Sequence, residues 1–217
     1  MKLAHIIWDW NGTLLNDVHI SLFAANAAIS ELGHQPITLE MYKKTYRVPV
    51  KKFYENILQH PPTEQEWKTI GRIFNKYYIP MVKKALVVDN ALDILESRRG
   101  MNASQSLCSL MEHNDLMQSI HFNKVGKYFS HISGRDEPLL KTGKELQLIN
   151  HIKKLNIAPE QCVIIGDAAD DALAAYAAGA KAVLYSGGTH CKESLKMTNA
   201  PVVSSLEKAL AITDQLI

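Results

Sequence analysis

The sequence predicts an α/β fold: a parallel sheet with helices on both faces, and an all-helical unit inserted after the first strand. Short apolar runs of strand length stand at Leu3–Trp8, Cys162–Ile165, Ala182–Tyr185 and Pro201–Val203. Segments of helical periodicity alternate with them, as the crossovers between parallel strands require. From Gly33 to about Lys84 the pattern changes to aromatic side chains scattered among charges, with no strand signal.

Leu3–Trp8 is apolar, contains β-branched residues and ends at the polar turn Asn11-Gly12, so it reads as a buried strand whose exit loop begins near Trp10. From about Val18, Leu22, Ala25, Ile29 and Leu32 recur at helical spacing, and Gly33 stands where a C-terminal cap belongs. The following stretch carries Tyr42, Tyr46, Phe53, Tyr54, Trp67, Phe74, Tyr77 and Tyr78, broken by Pro36, Pro49 and Pro61-Pro62, and reads as a small helical bundle. The chain thus divides into a sheet-forming core, residues 1–16 and 85–217, and a helical unit, 17–84. Asn90–Arg99 is a helix closed by Gly100. Met101–Leu110 is polar, and its periodicity does not mark a strand. Lys144–Leu155 is amphipathic, with Leu148, Ile149, Ile152 and Leu155 on one face. Cys162–Ile165 is a buried strand stopped by Gly166-Asp167. Ala168–Ala178 is an alanine-rich helix capped by Gly179. Strands at Ala182–Tyr185 and Pro201–Val203 follow, then a final helix from Leu206.

The 217 residues are 47% hydrophobic and 21% charged with a net charge of +2, and no basic stripe interleaves with aromatics, so nucleic acid is not an expected partner. Cys108, Cys162 and Cys191 are widely spaced and form no C-x-x-C pair, which suits a reducing, cytoplasmic setting. No leader pattern and no membrane-length apolar run is expected. Oligomeric state is not legible.

In sheets of this kind ligands bind beyond the carboxyl ends of the strands. Asp9 and Asp167 both stand at such ends, so the fold brings them toward one oxygen-rich pocket. Few carboxylates with water and substrate phosphate suit Mg²⁺. Gly12, between Asn11 and Thr13, lets backbone N–H groups approach an anion, and Lys144 opens a helix with a fixed positive charge. Such a pocket suits phosphoryl transfer.

These residues, in this order, resemble the four motifs of the haloacid dehalogenase superfamily, nearest its phosphoglycolate-phosphatase-like members with a helical cap after the first strand. D-x-D-G-T is matched by Asp9-Trp10-Asn11-Gly12-Thr13, with one departure. The Ser or Thr ending the second strand is matched by Ser109, with Ser106 as a rival. The lysine opening a helix is matched by Lys144 in Thr142-Gly143-Lys144-Glu145, better than by Lys141. G-D-x-x-x-D is matched by Gly166-Asp167-Ala168-Ala169-Asp170-Asp171. The resemblance implies a Rossmann-like three-layer core with a cap, and a Mg²⁺-dependent phosphatase of small phosphorylated substrates. It further implies that Asp9 is the nucleophile and that Asp9, Asp167, Asp171 and the backbone carbonyl of Asn11 surround the metal. Gly12, Thr13, Ser109 and Lys144 would hold phosphoryl oxygens, and Arg47 in the loop Tyr46–Val50 would meet a substrate anion.

The departure is Asn11. Relatives usually carry a carboxylate here that protonates the departing alkoxide and activates water, help worth roughly 10²- to 10⁴-fold. An amide leaves three readings: a leaving group acidic enough to depart unprotonated; a surrogate in the cap, such as Glu40, Glu55, His34 or His60; or a phosphate-binding protein of weak turnover. A phosphonatase-like reaction would use a cap lysine, such as Lys43, Lys51 or Lys52.

Overall fold

The computed structural model describes residues 3–136 and 143–217. Six strands form one parallel sheet in the order β3-β2-β1-β4-β5-β6: β1 (His5–Trp8), β2 (Gln105–Glu112), β3 (Ile132–Arg135), β4 (Cys162–Gly166), β5 (Lys181–Tyr185) and β6 (Val202–Val203). The alternation of side chains along a strand divides the core in two. Ile6, Trp8, Val163, Ile165 and Val183 face one side, with α5 (Ala91–Gly100), α6 (His113–Asn123) and α10 (Leu206–Thr213). Ile7, Cys108, Ile164 and Leu184 face the other, packed by α7 (Glu145–Leu155), α8 (Ala169–Ala177) and α9 (Lys192–Lys196). The predicted three-layer α/β core is therefore present.

Between β1 and β2 the chain leaves the sheet for α1 (Val18–Glu31), α2 (Leu39–Thr45), α3 (Lys51–Leu58) and α4 (Glu64–Val82). These helices have a separate core that includes Val18, Ile29, Tyr42, Phe53, Tyr54, Ile70 and Ile73. Thr63 starts α4 with a capping box, its hydroxyl accepting from the Glu66 N–H while Glu66 takes the Thr63 N–H. The two linkers to the cap are bonded to each other: Asn16 N–H donates to Leu86 O at 2.9 Å and Val88 N–H to Leu14 O at 2.8 Å, around an antiparallel bridge between Leu15 and Val87.

The structure adds β2, β3, α6 and α9 to the elements expected. Strand β2 escaped the hydropathy pattern because its buried polar groups satisfy one another. Trp8 Nε1 donates to Gln105 Oε1 at 2.9 Å, and the Gln105 amide donates to Leu95 O at 2.9 Å. The Ser106 hydroxyl lies 2.8 Å from both His5 Nε2 and His151 Nε2. His151 Nδ1 continues to Ser133 at 2.7 Å, and His5 Nδ1 to Ser104 at 2.8 Å. Polar residues thus occupy interior strand positions without an unsatisfied partner in this chain of contacts.

This chain makes stability acid-sensitive. Burial, and then Arg98, pull His5 from 6.5 down to about 4, and burial, followed by His131, pulls His151 down to about 3. Between those values and 6.5 the unfolded chain binds more protons than the folded one. The stability the neutral rings contribute is full above the unfolded value and is lost as pH falls toward the folded values. Urea midpoints are expected to drop between about pH 7 and about pH 4.5, and His151→Gln to flatten that drop; an unchanged slope would count against the assignment.

Candidate active site

The site lies where the strand order reverses beside β1, the position at which open parallel sheets receive ligands. Asp9 follows β1, and its N–H donates to Ile165 O at 2.9 Å, fixing it beside the end of β4. Asp167 follows β4, and Asp171 sits in the first turn of α8, where its Oδ2 accepts the Ala168 N–H at 3.0 Å. One oxygen from each of Asp9, Asp167 and Asp171 can be chosen so that all three lie within 4.8 Å of one another, and all three residues are buried. Two glycines make this approach possible. A Cβ on Gly12, whose φ is +74°, would lie 2.5 Å from Asp167 Oδ2, and one on Gly166 would lie 2.2 Å from the Asp171 carboxyl carbon.

Lys144 caps the start of α7 and is buried. Its Nζ donates to Asp9 Oδ1 and, at 2.6 Å, to Asp171 Oδ1, while its backbone N–H is held by Asp170 Oδ2 at 2.8 Å. Burial raises the Asp9 carboxyl well above the usual range, opposed by Lys144 and reinforced by Asp171 and Asp167. Burial, and then Asp171, raise Asp167 to about 6 against hydrogen bonds from Thr189 and Thr13. Burial disfavours the Lys144 ammonium, but Asp171 and Asp9 outweigh it, and the group is shifted upward. One ammonium thus bridges two of the three clustered carboxylates.

Asp167 accepts three hydrogen bonds. Thr13 Oγ1 reaches Oδ1 at 3.0 Å, and both the N–H and the hydroxyl of Thr189 reach Oδ2 at 2.5 Å. The N–H of Gly12 is also engaged, by Asp17 Oδ1 at 2.8 Å and Leu15 O at 3.1 Å. In the structure, therefore, the Thr13 hydroxyl and the Gly12 N–H hold carboxylates.

Asn11 is enclosed on both ends. Its Nδ2 donates to Asp17 Oδ2 and to Tyr78 Oη, each at 2.9 Å, and its Oδ1 accepts from the Ser109 hydroxyl at 3.2 Å. Tyr78, from cap helix α4, donates to Asp17 Oδ2 at 2.6 Å. Ser109 is thus brought to Asn11, whereas Ser106 is engaged by the two imidazoles inside the core. Gln147, in the first turn of α7, holds the Ser109 carbonyl at 2.6 Å.

Asp17, Tyr78 and Thr189 carry no motif signal, because each acts through a partner distant in sequence or through the inserted cap. Glu40, Glu55, His34 and His60 are all exposed; the cap side chain hydrogen-bonded to Asn11 is Tyr78. Lys51 and Lys52 are exposed, and Lys43 Nζ donates to Gly187 O at 3.2 Å. Arg47 turns Nη1 onto the carbonyls of Lys44 and Tyr46, at 3.0 and 2.6 Å. Tyr46 meets His190 edge to face at 5.4 Å, and Cys191 N–H donates to Lys43 O, so the cap rests on the loop that carries Thr189. Lys141 and Thr142 lie outside the described residues.

The donor set fits Mg²⁺: hard carboxylate oxygens, buried, gathered by close backbone approach, and with more negative than positive charge.

Residues 6–185 match the family model described as haloacid dehalogenase-like hydrolase. Phosphoglycolate phosphatase 1 of Pseudomonas aeruginosa is 24% identical over 216 residues, covering 97% of this chain and 79% of its own. Among solved structures, a haloacid dehalogenase-like hydrolase of Streptococcus pneumoniae superposes with a TM-score of 0.82 at 18% identity, covering 96% of this chain and 97% of its own. A predicted phosphatase of Clostridium acetobutylicum gives 0.83 at 19%, covering 97% and 98%. No helix among the described residues is long and apolar enough to cross a membrane.

Proposed function

The chain belongs to the haloacid dehalogenase-like hydrolases, and from that premise we propose that it is a cytoplasmic, Mg²⁺-dependent phosphatase of small phosphorylated metabolites whose leaving groups depart without a proton. The observation that supports it most directly is the gathering of the Asp9, Asp167 and Asp171 carboxylates, with Lys144 bonded to the first and the last. Asp9, Asp167, Asp171 and the Asn11 carbonyl would hold Mg²⁺, which when bound neutralises charge on the phosphoryl oxygens. An Asp9 oxygen attacks phosphorus, the bond to the leaving oxygen breaks, and that oxygen departs with the electron pair. Water then attacks the aspartyl phosphate and returns Asp9 as a carboxylate. Lys144 and Ser109 position the phosphoryl group, and the Lys144 ammonium opposes the burial that disfavours the ionised Asp9 nucleophile. The helical unit, residues 17–84, acts as the cap that excludes water, and Arg47 meets the far end of the substrate after leaving its carbonyl partners.

Phosphoglycolate is the substrate in the names of several relatives. Its leaving oxygen is an alkoxide that requires a proton, which the Asn11 amide does not supply. Acyl phosphates and nucleoside diphosphates release stabilised anions and suit this site better. The same amide supports one second reading, a phosphate-binding protein of weak turnover.

A panel of acyl phosphates, nucleoside di- and triphosphates, and alkyl phosphomonoesters separates the two. Expected with Mg²⁺ are hydrolysis of the first two classes, loss of activity in EDTA, and a phosphoryl adduct on Asp9 in quenched protein by mass spectrometry. Rates equal to those of Asp9→Asn on every compound would overturn the phosphatase reading.

A further inference from the structure

We propose that Asp17 and Tyr78 are positioning residues that lock the Asn11 amide with its oxygen toward Ser109 and its NH₂ turned away, so that it orients the attacking water and offers no donor to the leaving oxygen. This rests on the phosphatase reading above and deepens it.

The two ends of an amide differ only in donor and acceptor character, and here the surroundings distinguish them. A carboxylate only accepts, so the Asn11 nitrogen must face Asp17 Oδ2 at 2.9 Å; the flipped amide would set two acceptors against each other. The single Tyr78 proton goes to Asp17 at 2.6 Å, which leaves the phenol oxygen to accept the second Asn11 N–H at 2.9 Å. Both amide hydrogens are thereby engaged away from Ser109. Asn11 Oδ1 takes the Ser109 hydroxyl proton, and Ser109 Oγ in turn accepts the Met111 N–H at 3.1 Å. Asp17 is itself anchored by the Gly12 N–H at 2.8 Å.

The two half-reactions then feel the amide differently. When the Asp9–phosphorus bond forms and the bond to the leaving oxygen breaks, that oxygen carries away the electron pair and receives nothing from Asn11. When water attacks, its oxygen bonds phosphorus, the bond to Asp9 breaks, and the water proton leaves with inorganic phosphate or passes to solvent. Asn11 Oδ1 is the acceptor that aligns that water. Because Tyr78 belongs to α4, the alignment is complete only with the cap seated.

The test uses the full-length protein and a series of aryl phosphates of graded leaving-group acidity. Asp17→Asn offers the amide nitrogen a donor in place of one acceptor oxygen, which turns the Asn11 amide over. Its rate should then depend less steeply on leaving-group acidity, while hydrolysis of the aspartyl phosphate slows about 10-fold, the equivalent of one oriented hydrogen bond. The phosphorylated fraction at steady state should rise accordingly. Tyr78→Phe removes one of two acceptors and should move both readouts the same way by less, which keeps the test available if Asp17→Asn does not fold. Wild-type slope and wild-type phosphorylated fraction in the folded variants would overturn the proposal. If the wild type shows no Asp9-dependent turnover, the phosphatase reading falls, and the lock is judged by NMR of the Asn11 side-chain amide. Slow solvent exchange that quickens in Tyr78→Phe supports it; exchange as fast as that of an exposed asparagine overturns it.

Discussion

Asn11→Asp is expected to raise kcat/KM for simple alkyl phosphomonoesters by roughly 10²- to 10⁴-fold, the range of general acid-base assistance, and to change that for acyl phosphates little. The new carboxyl would stand where the amide now meets Asp17 and Tyr78. Asp17 is buried, and burial already raises its own carboxyl despite hydrogen bonds from Tyr78, Asn11 and Gly12. A second acid beside it is held toward its protonated form by desolvation and by the neighbouring charge, which is the form that delivers a proton to an alkoxide. Acyl phosphates release carboxylates that need no such proton, so their rates serve as the internal control. An equal gain for both classes would show that the substitution acts on binding or on the water step. The same variant should lose some stability, because the amide hydrogens that now satisfy Asp17 and Tyr78 are removed.

Lys144→Met is expected to abolish turnover and to cost the metal-free protein about 3–5 kcal/mol, the usual result of removing one partner from a buried ion pair. Lys144 touches both Asp9 and Asp171, and the three carboxylates of the cluster have no other ammonium hydrogen-bonded to them among the described residues. Methionine keeps most of the stem volume and deletes only the charge. A divalent cation binds the folded variant and offsets part of the same repulsion, so Mg²⁺ should raise its melting temperature more than that of the wild type. Thermal unfolding in EDTA and in Mg²⁺ reads both effects. A variant as stable as the wild type in EDTA would show that the carboxylates relax by taking up protons, and that Lys144 does not hold them ionised.

Three of the four ordered motifs were legible because each belongs to a strand end or a helix start, where the local sequence marks both the element and the residue. Asp9 after β1 and Asp167 after β4 needed only the apolar runs before them. Strand β2 was not legible: Gln105, Ser106 and Ser109 are polar, and what makes them interior residues is Trp8, His5 and His151, which come from other elements. Sequence left Ser106 and Ser109 as rivals; the fold takes the first hydroxyl onto two imidazoles in the core and brings the second to Asn11. Asp17 and Tyr78 lie 61 residues apart, and neither is distinguishable by sequence from an ordinary helix-start aspartate or an aromatic of a helical bundle. The surrogate acids suggested by composition, Glu40, Glu55, His34 and His60, illustrate the same limit, since titratable character says nothing about which side chains the fold leaves exposed.

The paired linkers between Leu14 and Val88 have a bearing on how the chain folds. The entropy of closing a loop grows only with the logarithm of its length, and it is incurred once, when the two ends meet. Here the ends meet in their own short ribbon. To the sheet, the whole excursion from Leu15 to Val87 is a hairpin already tied at its base, so β1 and β2 can pair whether or not the four helices beyond the knot have found their packing. A unit attached in this way can be lengthened, shortened or exchanged while the sheet beneath keeps its register.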